Sequence, residues 1–198
     1  MFKTYAFEQS ENSPQDYYWF QYAFTNEELN RLYALLEPIP YQDATTIGSQ
    51  DQANAKVRSS RIKWIPQNDN WQWLYEKLFG MIEEANETLW KFDLFGTNES
   101  IQYTEYLAEN DGHYDWHQDI GPGGPSLRKV SLVVQLTDPS EYEGGDLQIW
   151  AGGQNIWTVN RGKGNVAIFP SYMMHRVSPM TSGVRRSLVL WAGGEHFK

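Results

Sequence analysis

Of the four histidines in this 198-residue chain, His117 stands out because a carboxylate follows two positions later, in His117-Gln118-Asp119. On a β-strand, residues i and i+2 project to the same side, so imidazole and carboxylate can converge on one point. His175 lies far downstream in a different predicted strand. Two imidazoles and one carboxylate on one face of a divalent metal leave the opposite positions open, the arrangement of non-haem iron centres. Spacing alone leaves a blander alternative standing. His-x-Asp is a common tripeptide, and a single histidine is more often a surface residue or a satisfied core residue. His113 has the parity to face the same point but reads as a rim or surface residue, and His196 as part of a solvated tail.

The elements that must position these groups fall into two parts. Thr25 and Glu28 have capping-box spacing, and Leu29, Leu32, Tyr33 and Leu36 then repeat at helical spacing until Pro38 and Pro40 end the helix. A second helix is predicted from about Asp69 to Leu89, with Trp71, Leu74, Tyr75, Leu78, Ile82, Ala85 and Leu89 in one stripe. Between them the polar stretch Gln42 to Lys56 reads as a long loop, long enough to close over a bound chain. After Trp90 the pattern changes to short strands, predicted near 101–107, 113–119, 128–136, 146–150, 155–159, 165–169, 175–178 and 185–192. Glycine- and proline-rich breaks such as Gly121-Pro122-Gly123-Gly124-Pro125 separate them. The expected fold is therefore α+β: a double-stranded β-helix, or jelly roll, of about eight strands braced by N-terminal helices. One domain is expected over 1–198, with 1–95 a mainly helical support region and 96–198 the core that carries the metal site.

Composition narrows the function classes. Hydrophobic residues make up 40% of the chain and aromatics 15%, which suits a packed core rather than disorder. The net charge of −9, without a run of Lys or Arg, argues against a nucleic-acid partner. It also favours substrates with basic flanks, against which Arg58 and Arg61 argue locally. With no cysteine, disulfides, thiol nucleophiles and cysteine zinc sites are excluded. No apolar run reaches the length of a membrane span and no signal-peptide pattern opens the chain, so a cytoplasmic protein without a membrane partner is expected.

The residues around the histidines carry a resemblance. His175 is followed by Val177, Pro179, Gly183, Arg185 and Ser187, and His117-x-Asp119 is preceded by Tyr106, Gly112 and Tyr114. Gly144-Gly145-Asp146-Leu147 and Phe169-Pro170-Ser171 lie between them. This set resembles the prolyl 4-hydroxylase-like family of Fe(II)/2-oxoglutarate-dependent oxygenases over 101–192. More loosely, Arg58-Ser59-Ser60-Arg61 through Trp90 resembles its helical support region.

The resemblance implies Fe(II) on His117, Asp119 and His175, with 2-oxoglutarate and O2 as co-substrates and ascorbate as a candidate reductant. A fixed guanidinium must meet the far carboxylate of 2-oxoglutarate. Strand alternation does not choose between Arg185 and Arg186; the resemblance chooses Arg185, with Ser187 beside it. Tyr106 and Gln135 are the polar candidates for a further co-substrate contact, and Met180 replaces the valine usual after the proline. Arg58 and Ser60 resemble a peptide-binding segment, and Tyr114 and Trp191 are further substrate candidates. The implied reaction hydroxylates an unactivated C–H bond, of a prolyl residue in a peptide or protein, releasing succinate and CO2. Relatives that halogenate lack the carboxylate that Asp119 supplies. The alternatives are the same chemistry on a free amino acid or other small molecule, a zinc-dependent cupin-like enzyme, a nucleic-acid dealkylase, and a catalytically silent jelly-roll binding module.

Overall fold

The structure is a computed structural model and describes residues 17–45 and 56–196. Helix α1 (Asn26–Leu36) begins where its capping box requires: the Thr25 hydroxyl accepts from the Glu28 amide while the Glu28 carboxylate accepts from the Thr25 amide. Helix α2 (Gln72–Ala85) starts three residues later than expected. Trp71 at its N-cap supplies no side-chain hydrogen bond, and Asn68 instead ties its side chain to the Asn70 amide in a preceding turn. The helix ends in a π turn, Asn86–Trp90, closed by Lys91 in the left-handed region. Among the described residues no helix is long and apolar enough to cross a membrane.

The strands are β1 (Tyr18–Phe20), β2 (Gln42–Asp43), β3 (Arg58–Ser59), β4 (Arg61–Ile65), β5 (Leu94–Gly96), β6 (Ile101–Leu107), β7 (His113–His117), β8 (Arg128–Gln135), β9 (Tyr142–Gly144), β10 (Leu147–Trp150), β11 (Ile156–Thr158), β12 (Val166–Pro170), β13 (His175–Val177) and β14 (Met180–Gly194). All pairings are antiparallel. The larger sheet runs β1-β12-β8-β14-β6-β4-β2, with β5 and β9 also against β14. The smaller sheet runs β11-β10-β13-β7-β3. The eight expected strands are all present, their ends shifted by up to five residues. The segment before residue 96 adds strands to both sheets as well as the two helices. The expected Gln42–Lys56 loop opens as strand β2, and residues 46–55 lie outside the described residues.

Each strand of the larger sheet splits its side chains between two jobs. One face packs Leu132, Val134, Leu188 and Leu190 against Leu29, Leu32, Leu74, Leu78 and Ile82 of the helices. The other face turns towards the smaller sheet, where Val133, Ala167 and Phe169 meet Leu147 and Ile149. The helices thus brace the outside of the larger sheet, and the inner face is left to build a site. On the outer face, near the sheet edge, Glu105 is buried among cations. It accepts from Arg61 at 2.6 Å, Arg186 Nε at 2.9 Å and the Tyr103 hydroxyl at 2.8 Å. Burial alone would raise its pKa, but the hydrogen bonds from Tyr103, Arg186 and Arg61 outweigh it and hold the carboxyl below its usual range.

Candidate active site

The register of the smaller sheet brings the two distant histidines together: His175 on β13 lies directly opposite His117 at the end of β7. Asp119 follows as the chain leaves β7, its amide donating to the Ser171 carbonyl at 2.9 Å. The ligand-bearing atoms of His117, Asp119 and His175 all lie within 4.8 Å of one another. The Nε2 atoms of His117 and His175 stand 3.7 and 3.5 Å from the two Asp119 oxygens.

Both imidazoles are oriented by the backbone. His117 Nδ1 is 2.7 Å from the Asp115 carbonyl and His175 Nδ1 is 2.9 Å from the Met173 carbonyl. A carbonyl can only accept, so each Nδ1 carries the proton and each Nε2 presents a lone pair inward. Burial, then the neighbouring His175, holds the His117 pKa well below the usual imidazole value, so it stays neutral as a ligand must. Asp119 is held ionised. Burial opposes this, but His175, His117, Arg128 and the Ser131 hydroxyl together outweigh it. Ser131 donates to Asp119 Oδ2 at 2.7 Å and lies 2.9 Å from Ser171 Oγ, while Arg128 Nη1 reaches the Asp119 carbonyl at 3.1 Å. A donor set of two imidazoles and one carboxylate, pre-oriented from behind, fits Fe(II).

A cavity of about 340 Å³ opens between the two sheets and is walled by the triad together with Tyr106, Tyr114, Arg185, Ser187 and Trp191. Arg185 faces it because alternation along β14 sends Arg185, Ser187, Val189 and Trp191 inward while Leu188 and Leu190 join the helix-braced core. Arg186 points the other way, to Glu105. Arg185 is 1% exposed, yet among the described residues its Nε and Nη2 have no hydrogen-bond partner, and neither does the buried hydroxyl of Tyr142. Burial pulls its pKa down. The guanidinium stem lies along Gly145, where a Cβ would come within 3.1 Å of Arg185 Cδ and 2.4 Å of Met180 Sδ; the left-handed φ of +63° favours glycine there as well. A buried cation with two unmet donors, in the cavity the triad faces, fits a carboxylate of a bound ligand such as 2-oxoglutarate.

The remaining expected residues divide. Tyr106 lines the cavity opposite Arg185, its ring centroid 5.5 Å from the guanidinium carbon. Tyr114 stacks on His117 with centroids 3.4 Å apart, and burial pushes its hydroxyl pKa up to about 12. Arg58 lines the cavity above Tyr114, and Trp191 lines it beneath the Arg128 guanidinium at 3.8 Å. Gln135 is buried opposite Ser187 but does not line the cavity, and Ser60 touches it only through Arg58, whose Nε it accepts at 2.9 Å. His113 sits outside, bonded to the carbonyls of Asp111 and Lys56, and His196 is exposed. Sequence reasoning missed Arg128, Ser131, Gln102 and Trp64. Alternation along β8 and β6 was the available signal for Ser131 and Gln102, since they share a face with Val133 and Tyr106.

Comparison with known proteins agrees with this geometry. A family profile described as the 2OG-Fe(II) oxygenase superfamily matches residues 101–193. A PKHD-type hydroxylase of Synechococcus sp. is 36% identical over 84 residues, covering 42% of this chain but only 38% of its own length. A PKHD-type hydroxylase of Rippkaea orientalis is 29% identical over 171 residues, covering 84% and 73%. Among solved structures, a prolyl hydroxylase from Trichoplax adhaerens, in complex with a peptide fragment of the hypoxia inducible factor oxygen degradation domain, superposes with a TM-score of 0.73 at 14% identity. It covers 90% of this chain and 83% of its own. A Pseudomonas putida prolyl-4-hydroxylase superposes with a TM-score of 0.69 at 18% identity, covering 91% and 93%. The structural likenesses establish the jelly-roll fold, and the profile match coincides with the strands that assemble the triad. Over residues 101–193 the chain is similar to the 2OG-Fe(II) oxygenase superfamily.

Proposed function

We propose that this protein is an Fe(II)- and 2-oxoglutarate-dependent dioxygenase that hydroxylates an unactivated C–H bond, of a prolyl residue in a peptide or protein. The observation that carries the reading is Arg185: a fully buried guanidinium with unmet donors, sharing one cavity with a complete His–Asp–His set. A silent binding module or a zinc enzyme without a co-substrate gains nothing from that buried charge, which is costly to keep.

Each residue has a distinct task. His117, Asp119 and His175 hold the metal, with Ser131 and Arg128 keeping the Asp119 carboxylate in place. Arg185 receives the far carboxylate of 2-oxoglutarate, and Ser187 on the same strand face adds a hydroxyl. Bound iron would supply, with O2, the oxidising power for C–H hydroxylation, with 2-oxoglutarate providing two electrons as it is converted to succinate and CO2 and ascorbate serving only to keep the iron reduced. Tyr114, Val189 and Trp191 exclude water from the cavity and border the substrate. Asp119 supplies the carboxylate that halogenating relatives lack, which favours hydroxylation. Peptidyl proline is supported by the relatives: the Trichoplax prolyl hydroxylase was solved with a peptide fragment bound.

Anaerobic titration with Fe(II) and then 2-oxoglutarate tests metal and co-substrate together. A weak visible metal-to-ligand charge-transfer band should develop that needs both and is lost on replacing Asp119 by Ala. Absence of the band in protein that has demonstrably bound iron would overturn the assignment of 2-oxoglutarate.

A further inference from the structure

Away from Arg185, the cavity wall holds a further buried cation, Arg58. Arg58, 8% exposed, lines this side and spends its nitrogens on neutral oxygens. Nε donates to Ser60 Oγ at 2.9 Å, Nη2 to Gln102 Oε1 at 2.8 Å, and Nη1 to the Thr45 carbonyl at 3.4 Å. Three of its five N–H groups are used in this way, leaving two for a ligand, and among the described residues no carboxylate balances its charge. Other arginines differ: Arg128 pairs with Glu99, and Arg61 and Arg186 with Glu105. Trp191 adds an indole N–H to the wall that is buried with no acceptor among the described residues. The nearby side-chain acceptor, Gln102 Oε1, is already taken by Arg58 and by the Thr104 hydroxyl at 3.2 Å.

The cation is also close to the chemistry. Its guanidinium carbon lies 4.6 Å from the centroid of the Tyr114 ring, which in turn stacks on His117. One aromatic ring therefore separates His117 from a buried charge that has no carboxylate partner among the described residues. A buried charge of this kind is unfavourable until something of opposite sign meets it.

Building on the function proposed above, we infer that the substrate presents a carboxylate beside its reacting residue and seats it on Arg58. In a peptide this is an Asp or Glu neighbouring the target; in a small substrate it is the molecule's own carboxylate. An ammonium group at the same place is disfavoured by the like charge of the guanidinium. This local preference runs opposite to the one that the net charge of −9 suggests. Surface charges are screened beyond about 8 Å at physiological ionic strength, whereas a desolvated cation in the cavity wall is not. The local charge therefore decides.

Calorimetry on the iron- and 2-oxoglutarate-loaded protein, kept anaerobic so that no turnover occurs, tests this. The probes are terminally blocked pentapeptides with a central proline flanked on either side by Asp, Ala or Lys, together with N-acetylproline and free proline. The Asp peptides should bind about tenfold or more tighter than the Lys peptides, the lower end of coupling for close charge pairs. The Arg58→Ala variant should lose that preference, Arg58→Lys should keep most of it, and Arg58→Glu should favour Lys. Arg58-dependent binding of N-acetylproline, but not of the peptides, would assign the carboxylate to a small substrate. Equal affinity for Asp and Lys peptides, with N-acetylproline also indifferent to Arg58, overturns the inference, as does a preference that survives Arg58→Glu. The charge-transfer band is read on the same samples. Its loss would count against the iron and 2-oxoglutarate reading separately, because the charge preference is scored whether or not the band appears.

Discussion

Replacing Arg185 should separate ligand affinity from fold stability, because the two residues Arg185 and Arg186 sit on opposite faces of one strand with opposite charge environments. Among the described residues Arg185 is buried with unmet donors and no ion-paired carboxylate, whereas Arg186 pairs with Glu105 at 2.9 Å with its side chain 33% exposed. Truncating one partner of a buried, hydrogen-bonded charge pair costs about 2–5 kcal/mol. At about 1.4 kcal/mol per tenfold, Arg185→Met should weaken 2-oxoglutarate by roughly 30-fold to more than a thousandfold. The ligand-free protein should not suffer. Removing an unsatisfied buried cation relieves a penalty of about 1–3 kcal/mol, so the melting temperature should hold or rise by several degrees. Arg186→Ala should do the reverse: 2-oxoglutarate affinity unchanged, stability lower by about 1–2 kcal/mol as Glu105 loses one of its cations. Calorimetry for affinity and thermal melts without ligand read both. A large loss of 2-oxoglutarate affinity in Arg186→Ala with none in Arg185→Met would refute the assignment of the two faces of β14.

Three further outcomes follow. Replacing His117, Asp119 or His175 by Ala should sharply weaken Fe(II) binding, measured by equilibrium dialysis, since the described residues offer only three protein ligands at this site. Ser131→Ala, which frees Asp119 Oδ2 of its hydroxyl donor, should cost about 10- to 100-fold in iron affinity while leaving the melting temperature within a few degrees. Glu105 has a folded-state pKa below its usual 4.5, so its stabilising effect is complete above that value and is lost as pH falls through the folded value. Denaturant unfolding followed from pH 6 downward should therefore show a steeper loss of stability in the parent than in Glu105→Gln.

Much of the site was legible because its residues sit on strands long enough to show alternation. Strand β6 runs over the predicted 101–107, and the parity of Arg185 with Ser187 and Trp191 places all three in the cavity. The metal ligands could be read as a set only through the flanking pattern, since nothing local says that His175 will lie opposite His117; that is a matter of sheet register. Strands β2 and β3 escaped notice for a related reason. They are two residues each and exist only by pairing with distant partners. Strand β4 hid behind its charges: Lys63 is buried with its ammonium donating to the Leu36 carbonyl, so the segment does not alternate as a half-buried strand should. Gln135 has the right face but the wrong depth, lying beyond the cavity along β8. Arg128 stands at the start of the apolar run of β8, with nothing in the sequence to mark its role, and Glu99 and the Trp191 ring hold it in the cavity wall.

The central claim is tested most directly by product analysis. The protein is incubated aerobically with Fe(II), ascorbate, 2-oxoglutarate and a library of proline-containing peptides, and mass spectrometry follows both succinate and peptide mass. The account predicts a +16 Da product localised to proline, formed with succinate, and abolished in both Asp119→Ala and Arg185→Met. Succinate formation that persists in both variants, or no succinate from protein shown to hold iron, would contradict it.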